Sequence, residues 1–466
     1  MNWRTLSLAA ALAVQLCGQA APETPAAKVF SRWLEAFNSG DRDRMKTFFE
    51  AHYPERAKQI DDALQFREAT GGFNLVRIEK AESGAVAAVL KERESDTYAR
   101  LEMEVAGEPP QVKRMGVRAI PRPADIAAVA RMSGPEALAA LDREAARQAA
   151  EGKFSGAVLV AQEGKTLFEK AYGLADREKK APNTLDTQFR LGSMNKMFTA
   201  VATLQLVEAG KLSLGDPLSK VLPDYPNQEL ARKVTVRHLL THTGGTGDIF
   251  GPEYEKNRLS LKALADYVKL YGARALKFEP GARWEYSNYG FLLLGYVVER
   301  VSGKSYYEYV REKIFQPAGM ASTDSAPETE NVHRRASGYM KEGGVWKSNG
   351  GTLPWRGTSA GGGYSTVRDL LSFARALESG KILGRKFVEE ATKRQTPSGG
   401  PAYGYGFGVQ GQGPDLSFGH GGGAPGMNGD LRVYPATRAV VVALSNLDPP
   451  AATRLAAFYE ARRPIP

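Results

Sequence analysis

The chain has 466 residues, and its 42% hydrophobic and 24% charged content is typical of a soluble globular protein. This length exceeds one ordinary hydrophobic core and predicts two domains plus a targeting segment. The 62 basic and 52 acidic residues give a net charge of +10, but the two signs alternate along the chain. This pattern argues against nucleic-acid binding, although the excess charge favours anionic surfaces such as cell-wall polymers.

Residues 1–20 have the pattern of a secretory signal peptide, with Arg4, an apolar run from Leu6 to Leu16 and small residues near Ala20. We therefore expect an exported protein, periplasmic or secreted. Cleavage near Ala20 would remove Cys17, the only cysteine, and leave no disulfide. A lipoprotein anchor at Cys17 is the less favoured alternative, because the bulky Leu16 precedes it.

Residues 22–122 are predicted to form a small α+β domain. Amphipathic patterns predict helices at 29–39, 44–49 and 57–68, and alternating patterns predict strands at 73–79, 85–92, 98–105 and 112–120. The segment from Trp33 to Asp41 and this order of elements resemble the nuclear-transport-factor-2-like, or SnoaL-like, cone fold. The resemblance implies a pocket or dimerisation through this domain, and no residue in it is marked as catalytic.

After a proline-containing linker at 123–134, residues 135–466 are predicted to form a second α+β domain. Strand patterns occur near both ends of this region, at 156–171 and at 404–445, and helices with glycine-rich loops lie between them. Both ends would therefore supply one antiparallel sheet with helices on its faces, and a helical subdomain is inserted in it. A cleft is expected where the two parts meet.

Ser193-Met-Asn-Lys196 places a potential nucleophile and a potential base three residues apart at the start of a predicted helix. A serine hydroxyl is a weak nucleophile and needs an adjacent base. Lysine serves as that base only where burial and nearby positive charge lower its pKa. The pair alone also fits an ordinary first helical turn, so the assignment depends on two further motifs.

The second motif is Tyr286-Ser-Asn288, which follows the Pro280-Gly281 turn and precedes a predicted helix at 291–301. A tyrosine there can relay a proton, and Asn288 can donate an amide hydrogen bond to a bound carbonyl. The third motif is His420-Gly421-Gly422-Gly423, between two strand-like runs. Glycines allow backbone N–H groups to approach a substrate closely, as an oxyanion site requires.

In this order the three motifs resemble those of the serine β-lactamase and penicillin-binding-protein family. The segments 236–245 and 361–369 resemble the class C β-lactamase-related branch, which includes D-Ala-D-Ala carboxypeptidases, D-aminopeptidases and family VIII esterases. The resemblance covers residues 135–466 and implies that fold, a β-lactamase and transpeptidase-like domain.

The resemblance also implies a role for each motif residue. Ser193 would be the acylated nucleophile, Lys196 its base and Tyr286 the proton relay. Asn288 would orient the substrate, and the backbone amides of Ser193 and Gly423 would form the oxyanion hole. No metal and no cofactor is implied.

One departure from the family pattern bears on the substrate. His420-Gly421-Gly422 stands where penicillin-recognising members carry Lys-Thr-Gly, so an ammonium and a hydroxyl suited to a substrate carboxylate are absent. Esters are therefore the first expectation, D-amino-acid amides or peptides the second and β-lactams the third. His420 has either a direct catalytic role or only a structural one.

Two other patterns are interpreted as structural. Gly357-Thr-Ser359-Ala-Gly361 matches a nucleophile elbow, but no strand-like run precedes it and glycines replace the helix that should follow. It is predicted to be a glycine-rich wall of the cleft. His238 and His242 have the spacing of zinc ligands, but they lack the glutamate of His-Glu-x-x-His and are assigned hydrogen-bonding roles instead.

These observations support one leading hypothesis and two alternatives. The leading one is an exported serine hydrolase that works through an acyl-enzyme on a small ester, an amide or a cell-wall peptide. The first alternative is a catalytically weak protein that binds peptidoglycan or acyl ligands without efficient turnover. The second is that the first domain is the functional module, through ligand binding or dimerisation.

Overall fold

A computed structural model of the chain describes residues 23–342, 344–398 and 400–465. The predicted signal segment at 1–20, including Cys17, lies outside these residues. The chain forms two compact units that divide between Ala128 and Val129. Within the described ranges, no helix has the length and apolar character needed to cross a membrane.

Over its described residues, the first unit contains three α-helices and a four-stranded antiparallel sheet, whose strands pair in chain order. Its elements are α1 (Pro25–Ser39), α2 (Arg42–His52), α3 (Ile60–Thr70), β1 (Phe73–Ala81), β2 (Ala85–Glu92), β3 (Tyr98–Ala106) and β4 (Gln111–Ile120). Thr24 caps the start of α1, since its hydroxyl accepts the Ala27 N–H, and Gly40 follows the helix in the left-handed region (φ 65°). The Phe37 ring lies 5.0 Å from that of Trp33 and 5.5 Å from that of Phe73, which joins α1 to β1. The helices and strands follow the predicted order, and the nuclear-transport-factor-2-like assignment stays a prediction.

The second unit contains the remaining elements. Its helices are α4 (Gly134–Ala150), α5 (Asn195–Glu208), α6 (Leu218–Val221), α7 (Gln228–Lys233), α8 (Val236–Leu240), α9 (Pro252–Asn257), α10 (Leu264–Tyr271), α11 (Asn288–Ser302), α12 (Tyr306–Val310), α13 (Gln316–Ala318), α14 (Val367–Glu378), α15 (Arg385–Thr392) and α16 (Ala451–Arg462). Its strands are β5 (Gly156–Gln162), β6 (Lys165–Tyr172), β7 (Leu174–Asp176), β8 (Ala181–Pro182), β9 (Phe189–Arg190), β10 (Tyr339–Glu342), β11 (Val345–Ser348), β12 (Tyr364–Ser365), β13 (Gly408–Gln410), β14 (Ser417–Ala424), β15 (Met427–Tyr434) and β16 (Ala439–Ser445).

The main sheet of this unit has the order β13-β14-β15-β16-β5-β6, and all neighbouring strands are antiparallel. Both faces are covered, because successive side chains of a strand point to opposite sides. Val158 and Val441 pack with α4 and α16 on one face, whereas Leu159 and Val442 pack with α5, α11 and α14 on the other. The C-terminal strands therefore pair with an N-terminal hairpin, as predicted, and the helices between them lie on one side.

The third motif differs from its predicted position. His420 to Gly423 was expected between two strands, but these residues lie inside β14, where His420 is opposite Leu431 and Gly423 is opposite Asn428. The turn follows at Pro425-Gly426. The prediction was wrong because three consecutive glycines carry no alternating apolar pattern, which is the signal that identifies a strand.

Candidate active site

Ser193 lies in a 3-10 turn, Gly192–Met194, directly before α5. The preceding Gly192 has φ 53°, and a Cβ atom added there would lie 2.9 Å from the Gly423 nitrogen. A Cβ added at Gly422 would lie 1.9 Å from the Leu191 carbonyl oxygen. Glycine is therefore required on both segments, since only it allows this approach. The turn that carries Ser193 thus lies directly against β14 and the amide of Gly423.

Lys196 is completely buried, and all three donors of its ammonium group have partners. Its Nζ lies 3.2 Å from Ser193 Oγ and 2.7 Å from Asn288 Oδ1, and it also donates to the Ala360 carbonyl. Burial lowers the pKa of Lys196 to about 7, although the negative charge of Asp248 acts in the opposite direction. An amine with this pKa is partly unprotonated near neutral pH, so it can accept a proton from Ser193.

Tyr286 is half-buried, and the centre of its ring lies 4.7 Å from Lys196 Nζ. Burial raises the pKa of its phenol, with the hydrogen bond to Ser193 acting in the opposite direction. The phenol therefore stays protonated at neutral pH. In this position the phenol can relay a proton, but it is not a phenolate at neutral pH.

Asn288 is the first residue of α11. The preceding Ser287 caps this helix, because its hydroxyl accepts the Gly290 N–H at 2.9 Å. The Asn288 side-chain oxygen accepts from Lys196, and its side-chain nitrogen donates to Asp248 Oδ2 at 3.1 Å. The Asn288 backbone N–H donates to the other oxygen of the same carboxylate. The amide therefore links a carboxylate to the buried amine.

Sequence reasoning missed Asp248. It lies in a glycine-containing loop after α8, forty residues before Asn288, and no motif marks it. An isolated aspartate in such a loop is usually read as a turn residue. Only the folded chain brings it to the site.

His420 is also buried, and its Nε2 lies 3.0 Å from the Tyr403 hydroxyl. Tyr403 is a second site residue that was not predicted from the sequence. The His420 Nδ1 contacts the Gly421 carbonyl. Burial, with a contribution from the charge of Lys196, lowers the pKa of His420 to about 3. The imidazole is therefore neutral at physiological pH and does not replace the missing ammonium.

His242 and His238 make separate hydrogen bonds. His242 Nδ1 accepts the Ser287 N–H at 3.1 Å, and its ring centre lies 4.3 Å from that of Tyr286. His238 Nδ1 instead accepts the Thr235 N–H at the start of α8. Both make the expected hydrogen bonds, but the position of His242 beside Tyr286 was not predicted.

The loop around Ser359 forms a wall behind Lys196. Ser359 is completely buried, and its hydroxyl has no hydrogen-bond partner in the described part of the chain. The backbone carbonyls of this loop accept from the helix instead, since Thr358 O binds Asn195 Nδ2 and Ser359 O binds Thr199 Oγ1. A nucleophile elbow would expose the serine, so the interpretation as a structural wall is confirmed.

Two distant segments thus bring together Ser193 and Lys196 with Tyr286 and Asn288, and the glycines of a third segment, β14, lie against the serine turn. The sequence profile of the family described as Beta-lactamase matches residues 141–463. The chain belongs to the beta-lactamase family.

Three relatives show the range of this family. A penicillin-binding protein from Bacillus halodurans has 34% identity and a TM-score of 0.62, over 68% of this chain and 99% of that one. A D-stereospecific amidohydrolase from Streptomyces sp. has 28% identity and a TM-score of 0.59, over 69% of this chain and 98% of that one. Esterase EstB from Burkholderia gladioli is 38% identical over 185 residues, which are 36% of this chain and 47% of the esterase.

The relatives support the predicted fold of the second unit, a sheet flanked by helices with a beta-lactamase-like architecture. Their names describe an esterase, an amidohydrolase and a penicillin-binding protein. Membership of the family therefore supports a serine hydrolase but leaves the substrate open, because substrate choice depends on the site and its loops.

Proposed function

We propose that this protein is a serine hydrolase of the class C-related branch that forms an acyl-enzyme on Ser193. The observation that carries the proposal is the buried Lys196 amine, which lies 3.2 Å from the serine hydroxyl and has a pKa lowered to about 7. A base with this pKa suits proton transfer at neutral pH.

In the proposed mechanism, unprotonated Lys196 takes the Ser193 proton as Oγ attacks the substrate carbonyl carbon. The backbone N–H groups of Ser193 and Gly423 donate to the oxyanion of the tetrahedral intermediate. The proton then passes through Tyr286 to the leaving alcohol or amine as its bond to carbon breaks. Water then attacks the acyl carbon and gives a proton to Lys196 and Tyr286. These groups return it to Ser193 Oγ as the bond between the acyl carbon and Oγ breaks, which releases the carboxylic acid and restores the free serine.

We propose esters as the main substrates, followed by D-amino-acid amides or peptides and then by β-lactams. Along β14, which is described over its whole length, His420 is the one titratable side chain, and it is neutral and bonded to Tyr403. A substrate carboxylate beside this strand would therefore meet no cation that β14 itself supplies. The esterase and the amidohydrolase among the relatives are consistent with this order.

The test compares Ser193→Ala with Ser359→Ala. The control removes a hydroxyl that is buried and without a hydrogen-bond partner, so it should leave activity within about twofold. We expect Ser193→Ala to fold but to lose at least about a hundredfold in the hydrolysis of p-nitrophenyl butyrate. It should also lose labelling by a fluorophosphonate probe. Undiminished labelling of Ser193→Ala would assign the nucleophile elsewhere.

A substrate panel of short-chain esters, D-Ala-D-Ala peptides and nitrocefin then ranks the classes on the wild-type protein. Multiple turnovers on any of them exclude the alternative of a binding protein. Acylation of one serine per chain, seen by intact mass without release, would support that alternative instead.

Two further proposals concern the N-terminal residues. We propose that residues 1–20 direct export and that the first unit is a nuclear-transport-factor-2-like module that mediates dimerisation. Mass spectrometry of the protein from its native host would detect cleavage near Ala20. Light scattering of the full chain and of a chain that starts at Val129 would test the role in dimerisation.

A further inference from the structure

A cleft of about 550 Å³ lies in the second unit, outside the site described above. Three of its lining residues are arginines from separate segments. Arg375 is near the end of α14, Arg385 is the first residue of α15, and Arg438 is in the turn between β15 and β16. We call this feature the arginine cleft.

The arginine cleft is far from Ser193. Arg438 directly precedes Ala439 at one end of β16, whereas Ser445 at the other end pairs with Asn428, which in turn pairs with Gly423. Six residues of strand at about 3.3 Å each separate the two ends by about 20 Å. The cleft is therefore a separate place on the unit.

The turn that carries Arg438 is held in place by the neighbouring hairpin, because the Glu163 N–H donates to the Arg438 carbonyl at 3.0 Å. The same hairpin positions Arg375, whose Nη2 donates to the Gly164 carbonyl at 2.7 Å. One hairpin turn thus contacts both the backbone of Arg438 and the side chain of Arg375. The fold therefore determines where these two arginines lie.

Within the described part of the chain, none of the three guanidinium groups forms an ion pair. Other surface arginines do: Arg368 on the same helix as Arg375 lies 2.6 Å from a Glu169 oxygen. Two carboxylates, Glu378 and Glu389, line the same cleft, and neither lies within ion-pair distance of an arginine. Burial raises the pKa of Glu378, and the charges of Arg438 and Arg375 act in the opposite direction. Apart from the Arg375 Nη2 that donates to Gly164, these guanidinium groups have no hydrogen-bond acceptor among the described residues.

We propose that the arginine cleft binds a multivalent oxyanion, the phosphate or carboxylate groups of a small ligand or polymer end. Planar guanidinium groups bind such oxygens through paired N–H donors, and three arginines line this cleft. The negative charges of the two glutamates on the wall disfavour the binding of a monovalent anion such as chloride. A ligand that reaches all three arginines overcomes this opposition.

Isothermal titration calorimetry of the full chain tests the proposal, with pyrophosphate and citrate as probes at constant ionic strength and pH 7.5. The test variant is Arg385→Ala/Arg438→Ala. The control is Lys381→Ala/Lys386→Ala, which removes the same charge from exposed positions nearby that do not line the cleft.

We expect the wild type and the control to bind at least one probe with the same affinity within about twofold, and the arginine variant to bind it at least about tenfold more weakly. Tighter binding of pyrophosphate would identify a phosphate-bearing ligand, and tighter binding of citrate a polycarboxylate. Absence of heat with the wild type at millimolar probe, or an equal loss in both double variants, would overturn the proposal. Because neither probe nor variant involves Ser193, the outcome is independent of the proposed hydrolase activity.

Discussion

The carboxylate of Asp248 accepts both N–H groups that Asn288 presents to it, the backbone one at 3.2 Å and the side-chain one at 3.1 Å. Two bonds to one carboxylate fix the orientation of the amide, so its oxygen faces Lys196 at 2.7 Å. Because a rotated amide would present a nitrogen to the ammonium, Asp248 determines which atom Lys196 meets.

Replacement of this carboxylate should therefore change the pH profile as well as the rate. The negative charge of Asp248 raises the pKa of Lys196 against the effect of burial. In Asp248→Asn we expect the acidic limb of kcat/KM to move to lower pH and kcat to fall about tenfold, because Asn288 is less well held.

The matched control is Asp224→Asn, which removes the same charge from an exposed loop position. The acidic limb of the kcat/KM profile of Asp224→Asn should coincide with that of the wild type. A limb that stays unchanged in Asp248→Asn would show that this carboxylate has no electrostatic effect on the base.

The wild-type profile itself should report Lys196. Its pKa is lowered to about 7, and only the unprotonated amine accepts a proton from Ser193. The kcat/KM for a neutral ester should therefore rise as the pH increases through about 7 and then level off. Lys196→Arg, which stays protonated, should lose at least about a hundredfold at every pH from 6 to 9. A rate that does not vary between pH 6 and 8 would contradict this role.

The parts of the fold that the sequence predicted best are those with local signals. The strand β2 coincides with the predicted range 85–92, because its residue pattern and the turns at its ends are local signals. The contact between Ser193 and Lys196 was also predictable, since three residues on a helix define it. These features depend on neighbours in sequence and hardly on the rest of the chain.

The contacts that could not be predicted join distant segments. Asp248 contacts Asn288 across forty residues, and Tyr403 contacts His420 from a neighbouring loop. Neither Asp248 nor Tyr403 belongs to a motif. The sequence predicts a lowered pKa for Lys196 from burial and nearby positive charge. Burial is its main cause, and the charge of Asp248 is negative and opposes it. Such effects depend on packing, which one sequence does not display.

The close approach between the serine turn and β14 provides a steric prediction. Gly192→Ala would place a Cβ 2.9 Å from the Gly423 nitrogen, which should push the serine turn away from the proposed oxyanion hole. We expect kcat to fall at least about a hundredfold and the free energy of unfolding to fall by about 1–3 kcal/mol.

Gly210→Ala separates this clash from backbone strain. Gly210 also has a positive φ, 68°, but nothing lies within 4 Å of an added Cβ. It should lose comparable stability in thermal unfolding yet keep its kcat within about twofold. Equal kcat losses in the two variants would mean that strain, and not the approach to β14, limits the site.

The last prediction distinguishes a structural from a catalytic His420. Both of its ring nitrogens already have protein partners, and its pKa of about 3 keeps it neutral over the working pH range. A group that neither gains nor loses a proton contributes little to acid–base catalysis. We therefore expect His420→Gln to lower kcat on p-nitrophenyl butyrate by less than about tenfold.

Tyr286→Phe, which removes the proposed proton relay beside Lys196, should lower kcat by at least about a hundredfold in the same assay. If the two losses were equal, or if the loss in His420→Gln were the larger, the imidazole would take part in the reaction and the relay would not depend on the phenol alone.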